Sequence, residues 1–393
     1  MTSRCFTRKS ENTLTTVIAT MVTALVLVSL SQAQTFTVLH NFFGASDAAG
    51  GYNGLVRDAA GNLYGTTPDG GTSGYGAVFK IDTNNNESVL HSFAGGTDGC
   101  YPWASLILDA AGNIYGTTSN CGPLGSGTVF KVDTSGNETV LHSFAGGTID
   151  GAFPFGGLIL DAAGNLYGTT ELAGPSGYGV VFRLSPSGVE SVLHSFAGGP
   201  ADGSYPYLTG LLMDAKGNLY GVTQSGGASG HGVVYRLSPH GRYKVLHTFV
   251  GGPSDGCNPE GTLVSDTAGN LYGTALECGS IGWGIVWRLG PKGGYRVLHN
   301  FTAGATDGAN PNAGVVMDTK GNLYGDTGTG GAYNSGTVFE LNRQGFTLLH
   351  SFNGTTDGQF AEGAVVLDAL GNLYGTTVSG GSYTTGTVWE LTP

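Results

Sequence analysis

The sequence predicts an all-β protein, a seven-bladed β-propeller with four antiparallel strands per blade. Three observations lead there. A block reading G-N-[LI]-Y-G recurs seven times, centred on Tyr64, Tyr115, Tyr167, Tyr220, Tyr272, Tyr324 and Tyr374, at steps of 50 to 53 residues. A second block, [VL]-L-H-[SNT]-F, keeps the same beat, with His40, His91, His142, His194, His247, His299 and His350. A third is an apolar strand such as Val181-Phe182 or Val388-Trp389. A period of this length marks stacked copies of one supersecondary unit, none able to bury its own faces alone.

One copy shows the strands. Residues 157–161 read as an apolar strand. Asp161-Ala-Ala-Gly164-Asn165 is a tight turn, with glycine where the backbone needs positive φ. Residues 166–170 form the second strand, and a glycine-rich loop leads to a third over 180–184. After a Ser-Pro-Ser-Gly turn, residues 192–196 form the fourth. Four strands per unit with no helical period describe a propeller blade.

The two ends of the array close the ring. The first repeat block is a fourth strand without its first three, and the last is a third strand without its fourth. Residues 36–42 are therefore expected to supply the outer strand of the blade formed by 363–391. The propeller is a single domain over 36–393.

Residues 1–33 read as an export signal. Arg4, Arg8 and Lys9 precede an apolar run from Val17 to Leu30, and Ser31-Gln32-Ala33 is a small-x-small cleavage site. No later segment could span a membrane as a helix. Net charge is −12, with 28 acidic and 16 basic residues. That balance argues against nucleic acid and anionic membranes as partners. A monomer in the extracellular space or periplasm is expected. Cysteines agree with export. Cys100 and Cys257 each follow Asp-Gly, while Cys121 and Cys278 each lie six residues after the repeat tyrosine. Repeat equivalence favours Cys100–Cys121 and Cys257–Cys278 over the other two connectivities.

The pattern P-x-x-G-L-x-x-D-x-x-G-N-L-Y-G-T-T, then G-T-V-F-x-L and V-L-H-S-F, resembles the Gloeobacter/Verrucomicrobia tandem repeat over nearly all of 36–393. Its D-x-x-G-N-L-Y portion is also similar to NHL repeats. The resemblance implies an exported bacterial protein of undetermined biochemical role, often tethered by a C-terminal sorting signal. This chain ends at Pro393 directly after a strand, which departs from that pattern and favours a released or periplasmic protein.

Repetition assigns most chemically tempting residues to the scaffold. The seven histidines lie on outermost strands, roughly 15–20 Å from the axis given strand spacings of about 4.8 Å. Neighbouring copies are then too far apart to share a metal. Val192, His194 and Phe196 alternate onto one strand face, so a buried imidazole bonded to backbone or hydroxyl is expected, with Thr169 and Thr170 as plausible partners. Asp58, Asp109, Asp161, Asp214, Asp266, Asp318 and Asp368 cap the hairpin turn. Asp98, Asp150, Asp202, Asp255, Asp307 and Asp357 cap the loop between blades, without calcium-loop spacing. Tyr64 and its equivalents read as core. No phosphate loop or nucleophile elbow is present, and no cofactor or metal is expected.

Function is sought where the copies differ. The residue just before the innermost strand reads Tyr52, Trp103, Phe155, Tyr207, Glu260, Asn312 and Glu362 from blade 1 to blade 7. Aromatics facing carboxylate and amide groups around a channel mouth suit a sugar. They could equally plug the channel. A second variable position, in the glycine-rich loops, reads Tyr75, Ser126, Tyr178, His231, Trp283, Ser335 and Thr385. Three functions fit: a non-catalytic binding or scaffold propeller with a polysaccharide or cell-surface glycan as ligand, a carbohydrate-active hydrolase or lyase using Glu260 and Glu362 with His231 as accessory, or a structural or adhesion protein.

Overall fold

The computed structural model describes residues 34–44 and 47–392, together with Met1. The expected export signal lies outside the described residues apart from Met1. The remainder is all β. Seven four-stranded antiparallel sheets make seven blades. Blade 3 is representative, with strands Ile159–Leu160, Leu166–Thr170, Val180–Leu184 and Glu190–Ser195. Blade 7 takes Val366–Leu367, Leu373–Thr377 and Thr387–Thr392 from the C-terminus and Thr35–Asn41 from the N-terminus. Thr35 opposes Thr392, and Asn41 opposes Thr387. The ring is therefore closed as the phase of the repeat demands.

The innermost strands are shorter than expected. Each is a two-residue ladder, such as Ile159–Leu160 against Leu166 and Tyr167. Ahead of these ladders, Tyr52, Trp103, Phe155, Asn312 and Glu362 line a central channel cavity. The loops also carry structure that the sequence did not reveal. In five blades the inter-blade loop pairs with the glycine-rich loop as a two-residue ladder, for example Gly151 and Ala152 with Ala173 and Leu172.

The motif D-x-x-G-N-[LI]-Y-G is explained residue by residue. One Asp161 oxygen accepts the backbone N–H groups of Ala163 and Asn165. The other accepts the Asn165 amide at 2.8 Å and the Tyr167 hydroxyl at 3.0 Å. These donors overcome the effect of burial and hold the Asp161 carboxyl below its usual range. The tyrosine is thus half-buried and anchored by its hydroxyl, not simply core. Gly168 after it leaves room for the third-strand ring. A Cβ there would lie 2.7 Å from Phe182. All seven blades place an aromatic ring over this glycine, from Phe79 to Trp389.

The outer strand departs from simple alternation. All seven carry a β-bulge at the leucine of the V-L-H block, so that Val181 opposes His194 while Phe182 opposes Val192. Val192 therefore packs at the seam between blades 2 and 3, while Leu193 and Phe196 pack at the seam between blades 3 and 4. His194 faces that second seam, stacked on Tyr243 of blade 4. The expectation that Val192, His194 and Phe196 share one face is corrected by this bulge.

The histidine partners also differ from expectation. Each Nε2 faces the aspartate of the following inter-blade loop, from His350 with Asp357 at 2.9 Å to His91 with Asp98 and His142 with Asp150 at 3.5 Å. Asp47 completes the set with His40. It is followed by Ala48 where the other six precede glycine, which hid it in the sequence. The loop-capping role of these aspartates holds as well: Asp150 accepts from the Ala145 and Gly151 N–H groups. The threonines work elsewhere. Thr66, Thr117, Thr169, Thr274 and Thr376 donate to a carbonyl across the seam near the axis, and Thr376 to Asn53 O closes that belt.

Gly168→Ala should destabilise the ring by about 1–3 kcal/mol, because Phe182 must leave its seat. Gly294→Ala, with nothing within 4 Å of the added Cβ, should stay within about 0.5 kcal/mol of wild type. Urea midpoints of the two variants compare them directly.

Candidate functional site at the channel mouth

The variable ring enters the channel from a strained turn. Tyr101, Phe153, Tyr205, Asn258, Asn310 and Phe360 all have φ between 55° and 59°. Such values are costly for non-glycine residues and persist where surroundings impose them. Here the backbone is held at both ends. The N–H of Phe153 donates to Ser126 O of the preceding blade, and its carbonyl accepts from Glu171 N–H. Proline follows in five of the six, so the next side chain leaves the turn in a fixed direction.

Tyr52, Trp103, Phe155 and Tyr207 pack against one another in sequence. Ring centroids are 4.6 Å, 6.4 Å and 5.0 Å apart. The channel cavity that Tyr52, Trp103 and Phe155 share with Asn312 and Glu362 is only about 70 Å³. On the opposite side the groups are acidic. Glu260 is 5% exposed and accepts a 2.8 Å hydrogen bond from Gln224. Burial lifts its carboxyl to about 7 against that hydrogen bond, with Glu362 and Glu277 adding to the rise. Burial also raises Glu362, against its hydrogen bond with Asn312. The hydroxyls of Tyr52 and Tyr207 are raised by burial and then by Glu362 and Glu260 respectively. The aromatic and acidic halves of the ring therefore meet.

One member of this acidic group was not foreseen. Asp326 stands where five blades have the seam-crossing threonine. It is 1% exposed, and neither carboxyl oxygen has a hydrogen-bond partner. Burial, then Glu362, pushes it well above the usual carboxylate range. The sequence signal was the interruption of Gly-Thr-Thr by Gly-Asp-Thr.

A larger groove opens on the same face over blades 6, 7 and 1. It measures about 710 Å³, and Tyr52, Asp69, Phe360, Glu362, Ser379 and Thr385 line it. The second variable ring divides. Thr385 reaches this groove, while Tyr75, Ser126, Tyr178, His231, Trp283 and Ser335 line neither it nor the channel. The backbone carbonyls of those six instead receive the N–H of the strained residue in the next blade. Tyr75 and Tyr178 pack on Tyr101 and Tyr205. Both expected disulfides are present, Cys100–Cys121 and Cys257–Cys278, each with a Cα–Cα distance of 5.4 Å. Each ties the inter-blade loop to the glycine-rich loop, in blades 2 and 5.

The model of the Gloeobacter/Verrucomicrobia repeat matches residues 15–213 and 207–393. The chain belongs to this repeat family. Solved structures share the fold of this family member at low identity. An extracellular domain of a putative hybrid two-component system from B. thetaiotaomicron matches 90% of the chain at 10% identity, with a TM-score of 0.56. A second such domain from the same organism matches 91% at 13% identity, also at 0.56. The repeat protein spans only 39% and 41% of those two chains. A putative 6-phosphogluconolactonase from Bacteroides uniformis matches 80% of this chain and 88% of its own at 16% identity and a TM-score of 0.53. No curated protein matches the chain in sequence. Among the described residues, no helix is long and apolar enough to cross a membrane.

Two substitutions test the acidic half. Asp326→Thr should restore the seam-crossing hydrogen bond and stabilise the fold by about 1–3 kcal/mol, read as a higher melting temperature. For Glu260, the raised folded pKa means its stability contribution is complete below the ordinary carboxylate range and is lost as pH rises through about 7. Glu260→Gln should therefore gain on wild type between about pH 5 and pH 8. Equal urea midpoint differences at the two pH values would exclude titration of Glu260 in that window.

Proposed function

We propose that the protein is an exported, non-catalytic binding propeller that holds a polyhydroxylated ligand, a glycan, on its channel-mouth face. The observation that carries this reading is the groove of about 710 Å³ over blades 6, 7 and 1. Its volume falls within the roughly 300–1,000 Å³ of ligand pockets, and the 70 Å³ channel does not. Tyr52 and Phe360 offer flat apolar faces, while Asp69, Glu362, Ser379 and Thr385 offer hydroxyl partners. In this reading Trp103 and Phe155 fill the channel and support Tyr52 from behind, with Tyr207 packed on Phe155.

A hydrolase would need two carboxylates facing one substrate cavity. Glu362 lines the groove, but Glu260 is buried and bonded to Gln224 outside both cavities. That division favours binding over hydrolysis. Export is supported by the two disulfides, which persist in oxidising compartments, and by the leader-like segment 1–33.

A glycan array probed with wild type, Tyr52→Ala and Glu362→Gln tests the proposal. Wild type should bind a restricted set of glycans, Tyr52→Ala should lose at least tenfold in affinity, and no reducing ends should be released. Absence of binding across the array, or binding indifferent to Tyr52→Ala, sinks it.

A further inference from the structure

The seven blade seams fall into two kinds at the position four residues before each repeat histidine. In four seams an aromatic ring from the next blade stacks on the histidine. Phe36 lies 3.8 Å from His350, Tyr243 3.9 Å from His194, Tyr295 3.9 Å from His247 and Phe346 4.1 Å from His299. The planes are within 9° of parallel. In the other three seams the same position is a glutamate: Glu87 facing the His40–Asp47 pair, Glu138 facing His91–Asp98, and Glu190 facing His142–Asp150. The fold thus contains its own comparison, four seams closed by a ring and three by a carboxylate.

The glutamate seams are electrostatically incomplete. Each brings a second carboxylate beside the aspartate. One oxygen each of Glu87, Glu138 and Glu190 is buried without a protein hydrogen-bond partner. So are Nε2 of His91, Nε2 of His142 and Oδ1 of Asp98. Six orphaned polar atoms gathered in three equivalent places form a pattern, since buried polar atoms are nearly always paired. At the seam between blades 7 and 1 the ligand atoms of His40, Asp47 and Glu87 all lie within 4.8 Å of one another. The Asp47 side chain there is fully buried, and His40 is 17% exposed, so solvent reaches one side of the cluster.

We propose that His40, Asp47 and Glu87 form a divalent transition-metal site of the Zn²⁺ class at the seam that closes the ring. One imidazole nitrogen with two carboxylate oxygens is a donor set suited to Zn²⁺ or Mn²⁺ rather than to Cu(I) or Mg²⁺. Three protein ligands and an open position facing solvent match an incomplete tetrahedron. The ion supplies the positive charge that two adjacent carboxylates lack. His40 and Asp47 belong to the strand and loop that complete blade 7, and Glu87 belongs to blade 1. A cation held by all three therefore clips the two ends of the circle together. The sequence pattern gave no expectation of a metal here, because the site uses one histidine with two acids rather than histidines of neighbouring copies.

The test uses the full chain, stripped with chelator and titrated with ZnCl2 by calorimetry, with retained metal counted after gel filtration. Wild type should retain at least one Zn²⁺ per chain and melt several degrees higher with Zn²⁺ than without. Glu87→Gln should lose this site, while Glu138→Gln and Glu190→Gln should leave Zn²⁺ retention unchanged. Glu87→Phe installs the residue type of the aromatic seams. It should stay folded, and the tight site and most of the Zn²⁺-dependent rise in melting temperature should be gone. Equal Zn²⁺ retention by wild type and Glu87→Gln overturns the proposal. So does absence of retention by wild type, which would leave the paired acids sharing a proton. Glycan binding by the Glu87→Phe variant reports separately on the channel-mouth reading.

Discussion

Among the described residues, every hydrophobic core belongs to two blades at once. Seven apolar clusters exist among the described residues, and each is drawn from adjacent blades. The contact that builds them is an edge-on meeting of rings across the seam. The phenylalanine that ends each V-L-H block touches the third-strand aromatic of the next blade, at centroid distances of 5.1–5.8 Å. Burial of such a side chain contributes about 1.5–3 kcal/mol, and none of it is available to an isolated blade. Closure follows as a physical requirement. Without the strand Thr35–Asn41, Phe42 would not reach Phe79, and the seam between blades 7 and 1 would be open.

Around this apolar ring run three polar systems with distinct tasks. Turn aspartates gather the asparagine and tyrosine of G-N-[LI]-Y and fix each hairpin. Threonines near the axis bond across seams. Histidine–aspartate pairs at the rim tie each outer strand to the loop that follows it. Because these systems repeat, the scaffold tolerates variation on the channel-mouth face, where aromatic, acidic and amide residues alternate from blade to blade. Strained backbone and two disulfides hold that face in shape, as expected where a surface must be presented in a fixed form.

Much of this was legible in the chain. The second and third strands of blade 3 were placed to the residue, because Leu166–Thr170 and Val180–Leu184 are bounded by glycine turns and flanked by regular alternation. The disulfides followed from repeat equivalence alone. The bulge at Leu193 was not legible, since V-L-H-S-F reads as plain alternation, and it reverses which seam the histidine meets. The histidine–aspartate pairs were not legible either: the histidine lies on an outer strand and the aspartate in the loop that follows, and spacing alone does not say that they meet. Asp326 was visible as a break in Gly-Thr-Thr, yet its cost depends on burial that no pattern records.

The sequence by itself determined the period, the number of blades and the manner of closure, because these depend on order and spacing along one chain. Which side chains meet was decided only by the tertiary structure. Contacts across a seam join distant residues, 37 and 51 positions apart in the hydrogen bonds of Thr117 and Gly54, or 323 apart for Thr376 and Asn53. Their geometry depends on one extra residue in each outer strand and on the curvature of the ring. The same holds for the candidate site. Tyr52 and Glu362 are separated by nearly the whole propeller in sequence, and only a closed circle makes them neighbours.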